Sequence, residues 1–268
     1  MFDAVSARRY RQMGIGALVI IIAIIAALAW RYRDQVPFVA NTPPPATSTD
    51  IGLTPGTPPT SGEAPRYTGI PVATLNADPV FLKQVPPETD QKLRAELADI
   101  AHQLEKDPRV PSLWMRVAYI KHFYNDDIGA RDAYEYLNII SERDGLPFYN
   151  LALLYGYYLK DPAKAEVKFQ AAIDRDPNHA AYYYGFGAFY REVAHNPDRA
   201  EQVLLAGLNV ASTDAGLIGG LAGLYEEQRD YGKAKEYYEK LLALTDLSVG
   251  ERTATRAALD RIAQKQGQ

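Results

Sequence analysis

The side chains that could do chemistry are few and scattered. The chain has 268 residues, no cysteine, four histidines and seven serines. A metal site would need ligands recurring on one face, and His102, His122, His179 and His195 include no pair with metal-ligand spacing on one helix. A nucleophilic serine needs a strained strand-to-helix elbow, and no serine sits in one. Gly185-x-Gly187 falls inside a helical pattern, where small residues serve packing and do not cradle a phosphate. Asp126-Asp127 and Glu226-Glu227 are adjacent in sequence and diverge on a helix, so they read as solvated charge, not an acid–base pair. Lack of cysteine excludes disulfides and thiolate metal sites and leaves the redox compartment open. The formal charge of −4 and a pI near 5.6 oppose general nucleic-acid binding, which needs a basic surface to neutralise phosphates. These observations predict a non-enzyme with no cofactor, no metal, no nucleic-acid partner and no small-molecule substrate.

Recognition chemistry is better represented. Of 19 tyrosines, 16 lie between Tyr119 and Tyr238. What would position them is a repeat. Ala130, Ala165, Ala200 and Ala234 are spaced by 35, 35 and 34 residues. Four residues after each comes a bulky apolar side chain, Tyr134, Phe169, Leu204 or Tyr238, and three further on Leu137, Ala172, Gly207 or Leu241. A period near ~34 residues marks stacked helical hairpins, because one hairpin cannot bury its own apolar face. The hairpins are placed at 112–144, 147–177, 179–212 and 214–247, within a helical domain 88–265 closed by capping helices 88–106 and 249–265. Glu88-Thr89-Asp90 offers an amino-terminal cap to the first of these. The first helices carry Trp114, Val117 and Ala118; Tyr149, Ala152, Leu153 and Tyr157; Tyr183, Phe186, Gly187 and Tyr190; and Leu221, Ala222 and Tyr225.

These hairpins resemble tetratricopeptide repeats. That family places a large, an aliphatic, a small and an aromatic residue along its first helix, then alanine, an aromatic and alanine along its second, with proline following. Tyr183, Phe186, Gly187, Tyr190, Ala200 and Leu204 fit, and Ala165, Phe169, Ala172 and Pro177 complete a second-helix pattern. In the first repeat, Lys121 and Glu142 stand where an aromatic and proline are usual. The resemblance implies an all-α, right-handed superhelical stack whose first helices line an inner face. In this register that face carries Met115, Tyr119, Phe123, Asn150, Leu154, Tyr158, Tyr184, Arg191, Glu192, Glu226 and Glu227, aromatic early and acidic late. Such a face suits an extended peptide or a partner helix. Family members that grip a terminal carboxylate use several basic and amide side chains, and here only Asn150 and Arg191 qualify.

Upstream, Met13–Trp30 is an uncharged, mainly Ile/Ala/Leu/Val run of 18 residues. As a helix it would be ~27 Å long, close to a hydrocarbon core of ~30 Å. Tyr10, Trp30 and Tyr32 sit at its ends, and Arg8, Arg9 and Arg11 favour a cytoplasmic tail 1–12 with the rest of the chain outside the plasma membrane. Ala27-Leu28-Ala29 also has the form of a signal cleavage site, but Arg31 and Arg33 follow at once, which favours an uncleaved anchor. Residues 31–65 read as a disordered spacer: from Val36 to Pro65, 19 of 30 residues are Pro, Thr, Ser or Gly. Residues 66–87 carry Ile70, Val72, Leu75, Val80, Phe81 and Leu82 and are expected to lie extended on the array, covering the first hairpin or occupying the groove. The expected function is a membrane-anchored scaffold that binds a protein or peptide for a cell-envelope complex. A tethered chaperone for exported chains and a cytosol-facing adaptor are the alternatives.

Overall fold

The computed structural model describes residues 64–267, all within the second of the two units into which the chain divides, Pro58–Gln268. The expected tail 1–12, the span 13–30 and nearly all of the spacer lie outside the described residues. Among the described residues there is no strand, and no helix is long and apolar enough to cross a membrane.

A short helix α1 (Pro79–Leu82) and a long α2 (Pro87–Lys106) precede four hairpins. Hairpin 1 pairs α3 (Pro111–Phe123) with α4 (Asp127–Ile140). Hairpin 2 pairs α5 (Gly145–Leu153), prolonged by a π-helical turn at Leu154–Tyr158, with α6 (Pro162–Arg175). Hairpin 3 pairs α7 (Ala180–Glu192) with α8 (Pro197–Val210), and hairpin 4 pairs α9 (Ala215–Glu227) with α10 (Tyr231–Ala243). A final helix α11 (Val249–Gln266) packs on α10.

Each hairpin turns in the same way. A single left-handed residue breaks the first helix: Asn125 (φ 57°), Lys160 (φ 56°), His195 (φ 50°) and Arg229 (φ 63°). The next residue, Asp126, Asp161, Asn196 or Asp230, caps the second helix by accepting the backbone N–H of Gly129, Lys164, Arg199 or Lys233. Such caps satisfy an N–H that the helix leaves orphaned, worth about 1 kcal/mol each. The start of α2 differs from the expected cap: Pro86 precedes it without a side-chain bond, and Glu88 and Asp90 sit in the first turn, where they oppose the positive end of the helix dipole.

The hairpins close on their smallest side chains. Ala130, Ala165, Ala200 and Ala234 are wholly buried. At Gly187, an added Cβ would stand 2.6 Å from Leu204 Cγ, so hairpin 3 closes only around a bare backbone. In hairpin 2 the buried set is Phe148, Leu151, Ala152 and Tyr155, while Tyr149, Leu153 and Tyr157 are half-buried. The expected register of α5 is thereby corrected by one residue. Hairpin 2 holds one residue more than hairpin 1 between these positions and Ala165, and the π turn absorbs it, with Leu159 N–H donating to Leu154 O at 2.9 Å and Asp161 N–H to Tyr155 O at 2.9 Å.

Adjacent hairpins are pinned by a recurring trio. Tyr155 donates its hydroxyl to Glu135 at 2.8 Å, and Lys168 reaches the same carboxylate at 2.9 Å. Tyr190, Glu166 and Arg199 repeat this at 2.8 and 2.9 Å, and Tyr225 and Glu201 at 2.6 Å with Lys233 at 3.6 Å. Burial first, and the facing carboxylate with it, raises each of these hydroxyls above its ordinary range. Each trio locks a first helix onto the second helix of the hairpin before it, so the stacking register is set by directional bonds as well as by apolar packing.

Candidate functional site

Two surfaces are built on this frame. The first lies at the amino-terminal edge, where hairpin 1 has no hairpin before it. Residues 65–82 run over it as a strap. Tyr67 inserts beside Trp114 and Tyr136, with ring centroids 4.6 and 5.5 Å apart, and Phe81 meets Phe123 edge-on at 5.4 Å. Val72, Leu75 and Leu82 pack against the same core.

The strap's main chain is read by polar side chains of hairpin 1. Ile70 N–H donates to Asp132 Oδ2 at 2.9 Å, Asn76 N–H to Asp126 Oδ2 at 3.2 Å, and Asp78 N–H to Tyr124 O at 2.9 Å. Tyr136 donates its hydroxyl to Pro65 O at 2.8 Å. Lys121, fully buried, points its ammonium at Pro71 O, Thr74 O and Asp126. Three donors thus meet three acceptors, which is what lets a cation sit there. Burial pushes the Lys121 amine below its ordinary range, and Asp126 opposes that shift. Lys121 occupies the position that Tyr155, Tyr190 and Tyr225 hold in the later hairpins. The departure at Lys121 is therefore where hairpin 1 exchanges a hairpin neighbour for an extended chain.

The second surface is the row of first helices, α3, α5, α7 and α9. Tyr119, Tyr158 and Tyr184 are exposed on it, at 43%, 52% and 42%. Met115, Phe123, Asn150 and Arg191 are half-buried, and Glu192 and Glu227 are exposed. Side chains bridge the row from helix to helix. Asn150 Nδ2 donates to Tyr119 Oη at 3.2 Å and lies 3.6 Å from Met115 Sδ. The His122 ring meets Tyr158 edge-on at 4.4 Å and its Nδ1 lies 2.7 Å from Asp127. Tyr157 donates to Glu192 at 3.1 Å, and Arg191 links Glu192 at 2.6 Å with Glu227 at 3.9 Å. Tyr184 lies over α9, where a Cβ on Gly220 would stand 3.5 Å from its ring.

Two residues expected on this face are elsewhere. Leu154 is 2% exposed: like Ile120, Phe189 and Leu224, which stand at the same position of the other first helices, it faces the core. Glu226 is taken by the last helix: Arg261 donates to it twice, at 2.6 and 2.8 Å, Tyr238 donates at 3.0 Å, and Lys265 lies 3.9 Å away. The Arg261 bonds, with the Tyr238 bond behind them, hold the Glu226 carboxyl below its ordinary value. The packing residues Tyr134, Phe169, Ala172, Tyr183 and Tyr190 are buried, as is Leu204, while Tyr238 is half-buried. Pro177 is exposed, and its carbonyl accepts the Tyr183 hydroxyl at 2.9 Å. Sequence reasoning missed His122, Tyr149 and the glycines of α9. Gly216, Gly219, Gly220 and Gly223 recur at i, i+3, i+4 and i+7, a spacing that marks one bare helix face.

Comparison with known proteins adds two observations. Residues 215–246 match the family profile of the tetratricopeptide repeat. The crystal structure of PilW, a widely conserved type IV pilus biogenesis factor, superposes with a TM-score of 0.51 at 19% identity, over 66% of this chain and 86% of that one. The fold is an all-helical, tetratricopeptide-like solenoid. Two further arrays are similar at lower scores. YrrB, a TPR protein with an unusual peptide-binding site, has a TM-score of 0.48 at 18% identity, over 63% of this chain and 86% of that one. A thermophilic TPR protein from Thermus thermophilus has a TM-score of 0.48 at 19% identity, over 62% and 89%. No curated protein sequence matches the chain. In the array, hairpins 1 to 4 are the repeats, α2 and the strap close one end, and α11 closes the other.

Proposed function

We propose that the chain is a membrane-anchored scaffold that binds a protein or peptide along the first helices of its array. The observation that carries this reading is the exposure of Tyr119, Tyr158 and Tyr184 on successive first helices, each held by a neighbour rather than buried by one. Rigid amphipathic rings lose little conformational freedom on binding and offer both an apolar face and a hydroxyl. The two ends of the array are occupied by parts of the chain itself, and this row stays exposed between them.

In this reading residues 13–30 span the plasma membrane, the proline-rich stretch sets the array off from the bilayer, and the array faces the extracytoplasmic side to assemble or stabilise an envelope complex. The test has two parts. Protease shaving of intact cells should remove epitopes of the array and spare residues 1–12; protection of the whole chain would place the array inside. Site-specific crosslinking in cells should give a defined adduct that Tyr119→Ala combined with Tyr184→Ala abolishes without changing the helical spectrum. An unchanged adduct would refute recognition through this face.

A further inference from the structure

Hairpin 1 holds a built site for an extended chain, apart from the tyrosine row. Three of its charged side chains, Lys121, Asp126 and Asp132, are at least nine-tenths buried. Each has a polar atom on the strap's main chain: Lys121 Nζ on Pro71 O and Thr74 O, Asp126 Oδ2 on Asn76 N–H, and Asp132 Oδ2 on Ile70 N–H. A mere cover needs no charge, and buried charge costs free energy unless its partners are in place. Side chains are read at two points. Tyr67 lies against Trp114 and Tyr136. At Gly69 an added Cβ would stand 2.5 Å from Asp132 Cβ, so the strap's backbone rests on the dock itself. The dock therefore reads Tyr-x-Gly at the head of a non-helical segment. Tyr-x-Gly occurs twice in the chain, here and at Tyr183-Tyr184-Gly185 inside α7, so the strap is the segment that can offer it in extended form.

Residues 83–86 join the strap to α2. Gln84 N–H and Val85 N–H bond back to Phe81 O and Leu82 O, at 2.8 and 3.2 Å, and not to hairpin 1. Val85 is anchored in the core, so the strap can swing about Lys83 and Gln84 without disturbing α2. We propose that hairpin 1 also takes the strap of a second copy of this chain, pairing two arrays by exchange of residues 65–82. Every contact of the strap with hairpin 1 is remade in the exchanged pair, the usual economy of swapped segments. A strap closed about a hundredfold over open, against an effective concentration of about 1 mM for a short connection, corresponds to an intermolecular dissociation constant of about 10 μM. Wild-type copies then pair where crowding brings them near about 1 mM, and a chain with a vacant dock pairs at about 10 μM.

The test uses full chains. In the acceptor, Tyr67→Ala with Gly69→Val unseats its own strap and leaves the dock intact. A synthetic peptide of residues 64–82 should bind the acceptor at about 10 μM and the wild-type chain about a hundredfold more weakly. Lys121→Met in the acceptor, or Gly69→Val in the peptide, should weaken binding about tenfold or more. In the donor, Lys121→Met with Asp132→Ala spoils the dock and keeps the strap. Donor and acceptor should form a 1:1 complex at about 100 μM, and neither should pair with itself. The donor needs only a free strap, so loss of structure in its hairpin 1 does not blunt the test. Absence of peptide binding at about 1 mM, or binding indifferent to Gly69→Val, would overturn the site. Peptide binding without a donor–acceptor complex would overturn exchange between copies.

Discussion

Replacing Lys121 by methionine isolates what the buried ammonium does. Methionine keeps most of the stem and removes the three donors, so Pro71 O, Thr74 O and Asp126 each lose a partner. Breaking a buried ion pair from one side costs about 3–5 kcal/mol. The loss here falls at the low end, about 3 kcal/mol, because Asp126 still accepts from Gly129 N–H at 3.1 Å and Asn76 N–H at 3.2 Å. In a repeat array each unit touches only its neighbours, so the loss should appear as opening of the strap and not as global unfolding. About 3 kcal/mol corresponds to an opening constant roughly 150-fold larger. The reporters are the amides of Ile70, Asn76 and Asp78, which donate to Asp132, Asp126 and Tyr124 O. Hydrogen exchange on Lys121→Met should show these three losing about two orders of magnitude of protection, with α9 and α10 unchanged. Wild-type protection at all three would show that apolar contacts of Tyr67, Leu75 and Phe81 hold the strap alone. Equal loss through hairpin 4 would show that the array melts as one body.

Other substitutions test the frame. Ala165→Leu places a large side chain at a wholly buried position against the bare backbone of Gly156 and should cost about 1–3 kcal/mol; an unchanged melting temperature would contradict the packing of hairpin 2. His195→Gly removes a Cβ from an exposed left-handed residue and should stabilise by about 0.5–1 kcal/mol, seen as a higher thermal midpoint; destabilisation would show that the turn does not strain the histidine. The contact between α11 and α9 should be pH-dependent. Glu226 is held below its ordinary value of 4.5 in the folded chain, so its contribution is complete above that pH and is lost as pH falls through the depressed value. Amides of α11 should lose protection on acidification before those of hairpins 2 and 3, and Glu226→Gln should remove the pH dependence; simultaneous loss would refute the coupling.

The repeat was legible because its closest contacts tolerate only small side chains. Ala130, Ala165, Ala200 and Ala234 are wholly buried where helices approach, which favours small residues, so the period is written in composition. The register of α5 was not legible. Tyr155, Tyr157 and Tyr158 are alike in type, and an extra residue within such a run leaves no mark until the backbone shows the π turn that absorbs it. The left-handed turn residues were also hidden, since Asn125, Lys160, His195 and Arg229 stand where glycine would have been the signal. Lys121 was visible as a departure from the pattern, but its acceptors lie about fifty residues away in main chain, which no local spacing encodes. The exposed tyrosines were named from helical phase alone. Glu226 could not be excluded that way, because its partners come from the end of the chain.

Lys121 also decides where hairpin 1 can stand. Transplanted into the interior of an array, its ammonium would face the second helix of the hairpin before it, whose carbonyls are already spent on their own ladder, and would find there only the single carboxylate that the tyrosine otherwise meets. Only an unladdered stretch of peptide can supply free carbonyls at that spot. Hairpin 1 is thus a terminus by composition, and a shortened protein starting at Glu88 would expose the Lys121 ammonium, left with Asp126 alone, and the flank of Trp114 to any loose chain that reached them.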